Sequence, residues 1–471
     1  MRAFLVNNRF LLAFAGLSSL MGISIGLAKM ATSLYSLKLG ANETLLGLIS
    51  AAQMVGILLM GLPVGLMVDH FGPKPLFLLG SVCAGLIYFA IPAIPSAEFL
   101  LLCTLFISFF MPLRFVSLNT IFMQQLDAVG ESKAGWYRGS HMSGMFLLGP
   151  MMAPALIEQF DFDGLFYLIG LIFALTIVLA PPVLNSYNGK SNMNPQAITR
   201  DNAFSQQLAL MWQHPGLREV NLIEFFCHGM NMFYSFFIVV IAINDLRLSA
   251  SEASQLVAVE GFTYVLALFF MGSFSSRGRQ KHAYLCCFTT ICSALAILAS
   301  SQQLLYLWLG GGLLGLASGA LEVINLTRYA RIGAEIGRGK VAGINALAGP
   351  CGMLLASLIG GPLGQYLGLQ TVFLLFIPAW LLLALRFLRP ATAPGPVNID
   401  PRKSLPGKSA PYLVFCTSLT ALILIFVDTL FPYASSEALP PIWEQLHTFG
   451  NTLLTNAQSW LEQQQSWILR E

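Results

Sequence analysis

Apolar residues come in unbroken runs of about twenty along this sequence, separated by short polar breaks rich in Gly, Pro and basic residues. Runs of that length predict helices that cross about 30 Å of hydrocarbon. They fall near residues 10–37, 44–68, 75–94, 98–121, 139–159, 164–184, 219–243, 252–274, 283–301, 303–326, 341–366 and 370–388. A thirteenth lies near 411–432. The short alternating segments of a membrane β-barrel are not seen. The first run is too long for a signal-peptide core and has no clean cleavage site, so it is read as a helix that stays.

The polar breaks carry the charge, and their placement tests the count. With the N-terminus inside, twenty of the 25 Lys and Arg fall on inner segments, among them Lys74, Lys133, Arg138, Arg277, Arg279, Arg338 and Lys340. Only Lys38, Arg247 and Arg470 fall outside, and Lys29 and Arg114 lie within runs. A missed crossing would scramble this asymmetry. The reading is a multi-pass protein of a bacterial cytoplasmic membrane with its N-terminus in the cytoplasm.

Two breaks divide the chain. The polar stretch 185–218 separates an amino-terminal six-helix bundle, 1–184, from a second one, 219–389. A Pro- and Lys-containing linker, 390–410, leads to the thirteenth helix, 411–432, and to an outer amphipathic tail, 433–471, in which Trp443, Leu446, Phe449 and Leu453 recur at helical spacing. That helix and tail suggest a contact with a membrane partner.

Composition agrees with the pattern. Of 471 residues, 56% are apolar and 10% charged, against about 25% charged in soluble proteins. The formal net charge of +3 gives no reason to expect nucleic acid. All eight Cys lie inside apolar runs without CxxC spacing, so they read as buried hydrophobes, with no disulfide frame or metal site. No nucleotide loop, acyltransferase pattern or cofactor motif is present, so no enzyme chemistry is expected.

The two bundles repeat each other. Arg138-Gly139 and Gly149-Pro150 recur 200 residues later as Arg338-Gly339 and Gly349-Pro350. Asn119 in the fourth run matches Asn325 in the tenth. The loop Gly65-Leu-Met-Val-Asp69-His-Phe-Gly72-Pro-Lys74 has a counterpart running from Gly272 through Arg277 and Arg279.

Gly65-xxx-Asp69-xx-Gly72-x-Lys74, between the second and third runs, resembles the signature loop of the major facilitator superfamily. His70 stands where Arg or Lys is usual. The resemblance implies an all-α fold of two pseudo-symmetric six-helix bundles around a central solute site. It also implies a gate in which Gly65 lets helices approach and Asp69 accepts hydrogen bonds from a facing helix end. Gly149-Pro150 resembles part of the antiporter motif of exporters in this superfamily, with Ala153-Pro154 replacing its final Gly-Gly. That leans toward efflux; alternatively it is a helix bend.

Ionisable side chains inside membrane helices are costly and commonly face a cavity. Lys29 and Arg114 are suited to a solute anion, with Gln53 and Asn119 adding hydrogen bonds; the alternatives are snorkelling for Lys29 and pairing across the bundle for Arg114. Glu260, Glu322 and Asn325 are further solute-site candidates. Glu224, His228 and Asn231 share one helical face at i, i+4 and i+7. Glu224 and His228, with Glu260, are candidates for proton coupling; an interhelical hydrogen-bond set is the other reading. His141, Met142 and Met145, with Cys227, His228, Met230 and Met232, leave open a copper importer. The function read from the sequence is secondary transport of a small anionic or zwitterionic solute, coupled to a proton or another ion and embedded in lipid. A non-transporting receptor or assembly factor on the same fold is the alternative.

Overall fold

The computed structural model describes residues 9–129, 134–185, 214–270, 280–336 and 338–388, all of them in or between helices. The thirteenth helix, the outer tail, the linker 390–410, most of the central segment 185–218, Arg277 and Arg279 lie outside the described residues. Twelve helices carry the fold: α1 (Arg9–Lys38), α2 (Glu43–Phe71), α3 (Pro73–Ala90), α4 (Ala97–Val129), α5 (Ala134–Ser143), α6 (Gly149–Leu179), α7 (Pro215–Val240), α8 (Ala250–Phe270), α9 (Gln280–Ser300), α10 (Leu304–Ile336), α11 (Arg338–Leu367) and α12 (Leu369–Leu388).

By length and apolarity these give eleven candidate membrane spans, one of which, Gly139–Leu179, has 41 residues. A straight helix of that length would run about 60 Å, twice the hydrocarbon thickness. It is broken at Asp161, whose φ of 57° and ψ of −178° are not helical. Asp tolerates positive φ better than most residues. The stretch therefore makes two crossings, and the described chain crosses twelve times.

Local chemistry sets the helix ends. Asn42 caps α2, its side chain accepting from the Leu45 N–H at 2.9 Å. Ser249 and Glu252 form a capping box at α8: the Ser249 N–H donates to Glu252 Oε2 at 2.8 Å and the Glu252 N–H to Ser249 Oγ at 3.2 Å. Between α2 and α3 the chain turns at Gly72, φ +79°, and Pro73 opens the next helix where its missing N–H costs nothing.

The sequence repeat is a packing repeat. α4 packs on α2 and α3 as α10 packs on α8 and α9, and α3 packs on α6 as α9 packs on α12. Lipid gives apolar faces no reason to associate, so close packing must hold the helices together. Glycines permit it. A Cβ on Gly26 in α1 would lie 3.0 Å from the Gly149 Cα and from Pro150 Cδ, and one on Gly229 in α7 would lie 2.8 Å from the Gly352 carbonyl oxygen in α11. The outward faces stay apolar, with Leu86, Val178, Phe270 and Leu382 exposed.

The halves meet along α2 with α11 and along α8 with α5 and α6. At the end opposite the signature loop, Gly47 and Gly361 cross so closely that a Cβ on Gly47 would lie 2.8 Å from the Gly361 Cα. Ser50 and Ser357 share a hydrogen bond of 2.8 Å, and Ser33 Oγ of α1 donates to the Phe236 carbonyl of α7 at 3.1 Å.

Candidate functional site

The residues singled out in the sequence separate into three places. The first lies between the halves. Lys29 on α1 reaches over the Phe146 ring, its Nζ 5.8 Å from the centroid. Together with Pro150, Ser235 of α7 and Val257 of α8 it lines a recess with room for about one water. Glu260 of α8 lies close enough to Lys29 for the two to act on one another electrostatically. Its neighbour Gly261 sits against Phe146, where a Cβ would lie 2.4 Å from the Phe146 Cβ. Glu260 is 2% exposed, and its Oε2 has no hydrogen-bond partner among the described residues. A buried carboxyl left in that condition calls for a proton or a cation.

Phe146 is held there by a local distortion. Residues Gly144–Leu148 form one turn of π-helix, directly before Gly149-Pro150. Pro150 lacks an N–H and its ring would clash with the Phe146 carbonyl in a regular helix, so the wider turn relieves the conflict. The bend motif thus places Pro150 and Phe146 on the recess. In the carboxy-terminal half, Gly349 instead packs against the His228 ring, where a Cβ would lie 3.0 Å from Cδ2. Pro350 lies inside α11 without such a turn.

The second place lies within the carboxy-terminal half. His228 Nε2 is 2.9 Å from Glu224 Oε2 on α7 and 3.6 Å from Glu322 Oε2 on α10. Asn325 donates from Nδ2 to Glu224 Oε1 at 3.2 Å, and Tyr284 of α9 donates to Asn325 Oδ1 at 2.8 Å. One turn along α7, Asn231 accepts from Ser318 Oγ at 3.0 Å. The i, i+4 pair is legible in the sequence; Glu322, Tyr284 and Ser318 join it only through helix packing, and nothing in their spacing signals it.

The third place holds Arg114 by itself. Its guanidinium is fully buried in the amino-terminal half, 3.9 Å from the Phe173 centroid, and donates from Nη2 to Thr176 Oγ1 at 3.1 Å. Its Nε and Nη1 have no partner among the described residues. Phe77 of α3 and Phe173 of α6 flank Arg114, while Lys29 lies over Phe146. Asn119 is exposed, unlike its repeat partner Asn325, which is 1% exposed. Gln53 is half-buried, and its Nε2 has no partner among the described residues.

The signature loop departs from one expectation. Among the described residues a Cβ on Gly65 would meet nothing within 4 Å, so none of them makes a close helix contact there. The turn depends on Gly72, and Lys74 Nζ donates to Asn185 Oδ1 at 3.2 Å, tying the loop to the end of the same half. The Asp69 side chain lies outside the described residues. His141, offered above as a soft-metal ligand, lies 3.1 Å from the Ser18 carbonyl through Nδ1.

The family model of the Major Facilitator Superfamily matches residues 12–216 and 222–458. The chain belongs to the major facilitator superfamily. Its fold agrees: the nucleoside transporter NupG superposes with a TM-score of 0.64 at 16% identity, covering 80% of this chain and 98% of that one. A bacterial homolog of the human lysosomal transporter Spinster, inward-facing and unoccupied, gives 0.59 at 14% identity, with 81% and 96% covered. The human organic anion transporter MFSD10 gives 0.57 at 15%, with 80% and 98% covered. No curated protein matches the sequence. As a member of this superfamily the chain is a multi-pass membrane protein with a transporter fold.

Proposed function

We propose that this chain is a secondary active transporter that exports a small zwitterionic solute in exchange for protons, with Lys29 and Glu260 as its central charges. The observation that carries this reading is their placement: Lys29 lines the recess between the halves, and Glu260 is buried on α8 next to Gly261, which packs on Phe146 at the interface that alternating access must open and close. Each charge is tolerable in a buried site only while it is compensated. A solute bearing both signs satisfies the pair from between, its anionic group on Lys29 and its cationic group on Glu260. A proton on Glu260 excludes the cationic group, and that exclusion makes the exchange obligatory. The bend at Gly149-Pro150 beside the recess supports the outward direction.

The test is reconstitution into liposomes with an internal pH-sensitive dye, challenged with zwitterionic, anionic and neutral solutes. Zwitterions should move protons in the opposite direction to the solute. Glu260→Gln should abolish that proton movement, and Lys29→Ala should reduce solute flux at least tenfold while leaving the amount of folded protein unchanged. Wild-type proton and solute fluxes in both variants would end the proposal. Protons moving along with a purely anionic solute would replace exchange by cotransport.

A further inference from the structure

The geometry points to a binding site for one divalent transition-metal ion of the Zn²⁺ class, formed by Glu224, His228 and Glu322. The three ligand atoms lie within 4.8 Å of one another. Around a tetrahedral Zn²⁺ with bonds of about 2.0–2.1 Å, neighbouring ligand atoms stand about 3.3 Å apart. The observed separations of 2.9 and 3.6 Å bracket that value, so small side-chain shifts place an ion between them.

The surroundings favour a cation. Glu224 is 4% and Glu322 9% exposed, and both carboxyls lie beside the His228 imidazole, away from water. Arg328, the basic side chain nearest along α10, is committed to Glu219. The first ligand is oriented by neighbours of its own. Asn325 occupies Glu224 Oε1 and is itself held by Tyr284, which leaves Oε2 turned toward His228. Such outer partners are the usual support of a metal ligand. The His228 side chain is 28% exposed, which leaves a way in and an open coordination position for water.

The ligand set also chooses the metal. One nitrogen and two carboxylate oxygens suit Zn²⁺, Mn²⁺ or Fe²⁺, of which Zn²⁺ binds tightest to a given site. Cu⁺ prefers thiolate and thioether sulfur. Among the described residues no cysteine joins the cluster. The site lies apart from Lys29 and Glu260 and does not depend on their role.

Titration of the full chain, purified in detergent, with ZnCl₂ by calorimetry, followed by X-ray absorption at the zinc edge, tests the site. One Zn²⁺ per chain is expected, with a shell of one imidazole nitrogen and otherwise oxygen. Its affinity should fall at least tenfold in His228→Ala and in Glu322→Gln, and stay unchanged in Glu260→Gln. Glu322→Gln preserves side-chain volume, so it carries the test if His228→Ala does not accumulate. No binding to the wild type, wild-type affinity in both ligand variants, or sulfur in the shell would overturn the site. Because Zn²⁺ is titrated without any solute, failure here leaves the transport reading standing, and the converse also holds.

Discussion

The two halves of this protein share a scaffold and divide the chemistry. In the amino-terminal half the two buried cations stand apart: Arg114 lies against Phe173 with a single hydrogen bond among the described residues, and Lys29 reaches out to the interface. In the carboxy-terminal half they are linked, from Tyr284 through Asn325 and Glu224 to His228 and Glu322. The helix crossings, by contrast, match: Gly26 on Gly149 in one half, Gly229 on Gly352 in the other. After duplication, close packing constrains the backbone of both halves equally. Polar side chains answer only to local partners, so each half is free to place its own.

The shared part is the easiest to break, and with the largest effect. Gly149→Leu and Gly352→Leu should both remove most folded protein, since a Cβ on Gly149 would lie 2.6 Å from the Gly26 Cα and one on Gly352 2.0 Å from the Phe225 carbonyl oxygen. Overpacking against backbone costs about 3 kcal/mol. Fluorescence-detected size exclusion in detergent measures it. Near-normal yield from either variant would mean that the crossings are not equivalent.

The divided part is sharpened by an opposed pair. Asn325→Ala leaves Glu224 Oε1 and the Tyr284 hydroxyl without their partner and should cost about 1–3 kcal/mol. Arg114→Met removes a buried charge with two unpartnered nitrogens and keeps much of the packing on Phe77 and Phe173, so its effect should stay within about 1 kcal/mol of zero. Thermal unfolding in detergent compares them. A cycle of Tyr284→Phe with Asn325→Ala should show a coupling of about 0.5 kcal/mol or more. Equal costs for Asn325→Ala and Arg114→Met would erase the contrast between network and isolated charge.

The smallest effect belongs to Lys74→Ala. Its hydrogen bond to Asn185 is exposed, and its loss should change stability by less than about 0.5 kcal/mol. Gly72→Ala, which forces a side chain into positive φ in the same loop, should cost clearly more.

Most of the fold was legible in order along the chain. Runs of about twenty apolar residues fix twelve crossings, because backbone groups in hydrocarbon must be satisfied within a helix. The break between the fifth and sixth runs, expected between 159 and 164, falls at Asp161. The repeat of Gly149-Pro150 at Gly349-Pro350 marks paired helices. It does not reveal that a π-helical turn carries Phe146 to the recess while Gly349 rests on His228. Single positions misled where only the surroundings decide. Gly65 has no close neighbour among the described residues, and Asn119 and Asn325, matched in sequence, end in opposite environments.

What the sequence determined by itself is therefore the twelve described crossings, their turns and the duplication, since each depends on residues near one another in the chain. What only the tertiary structure decided is which charges come near one another. Lys29 and Glu260 are separated by more than two hundred residues, and Glu322 comes from a different helix than His228. Hydrophobicity places every helix in the membrane but leaves its rotation open. The rotation is set by glycine-to-backbone contacts between helices, and these alone bring an acid to a base or leave an arginine on an aromatic ring.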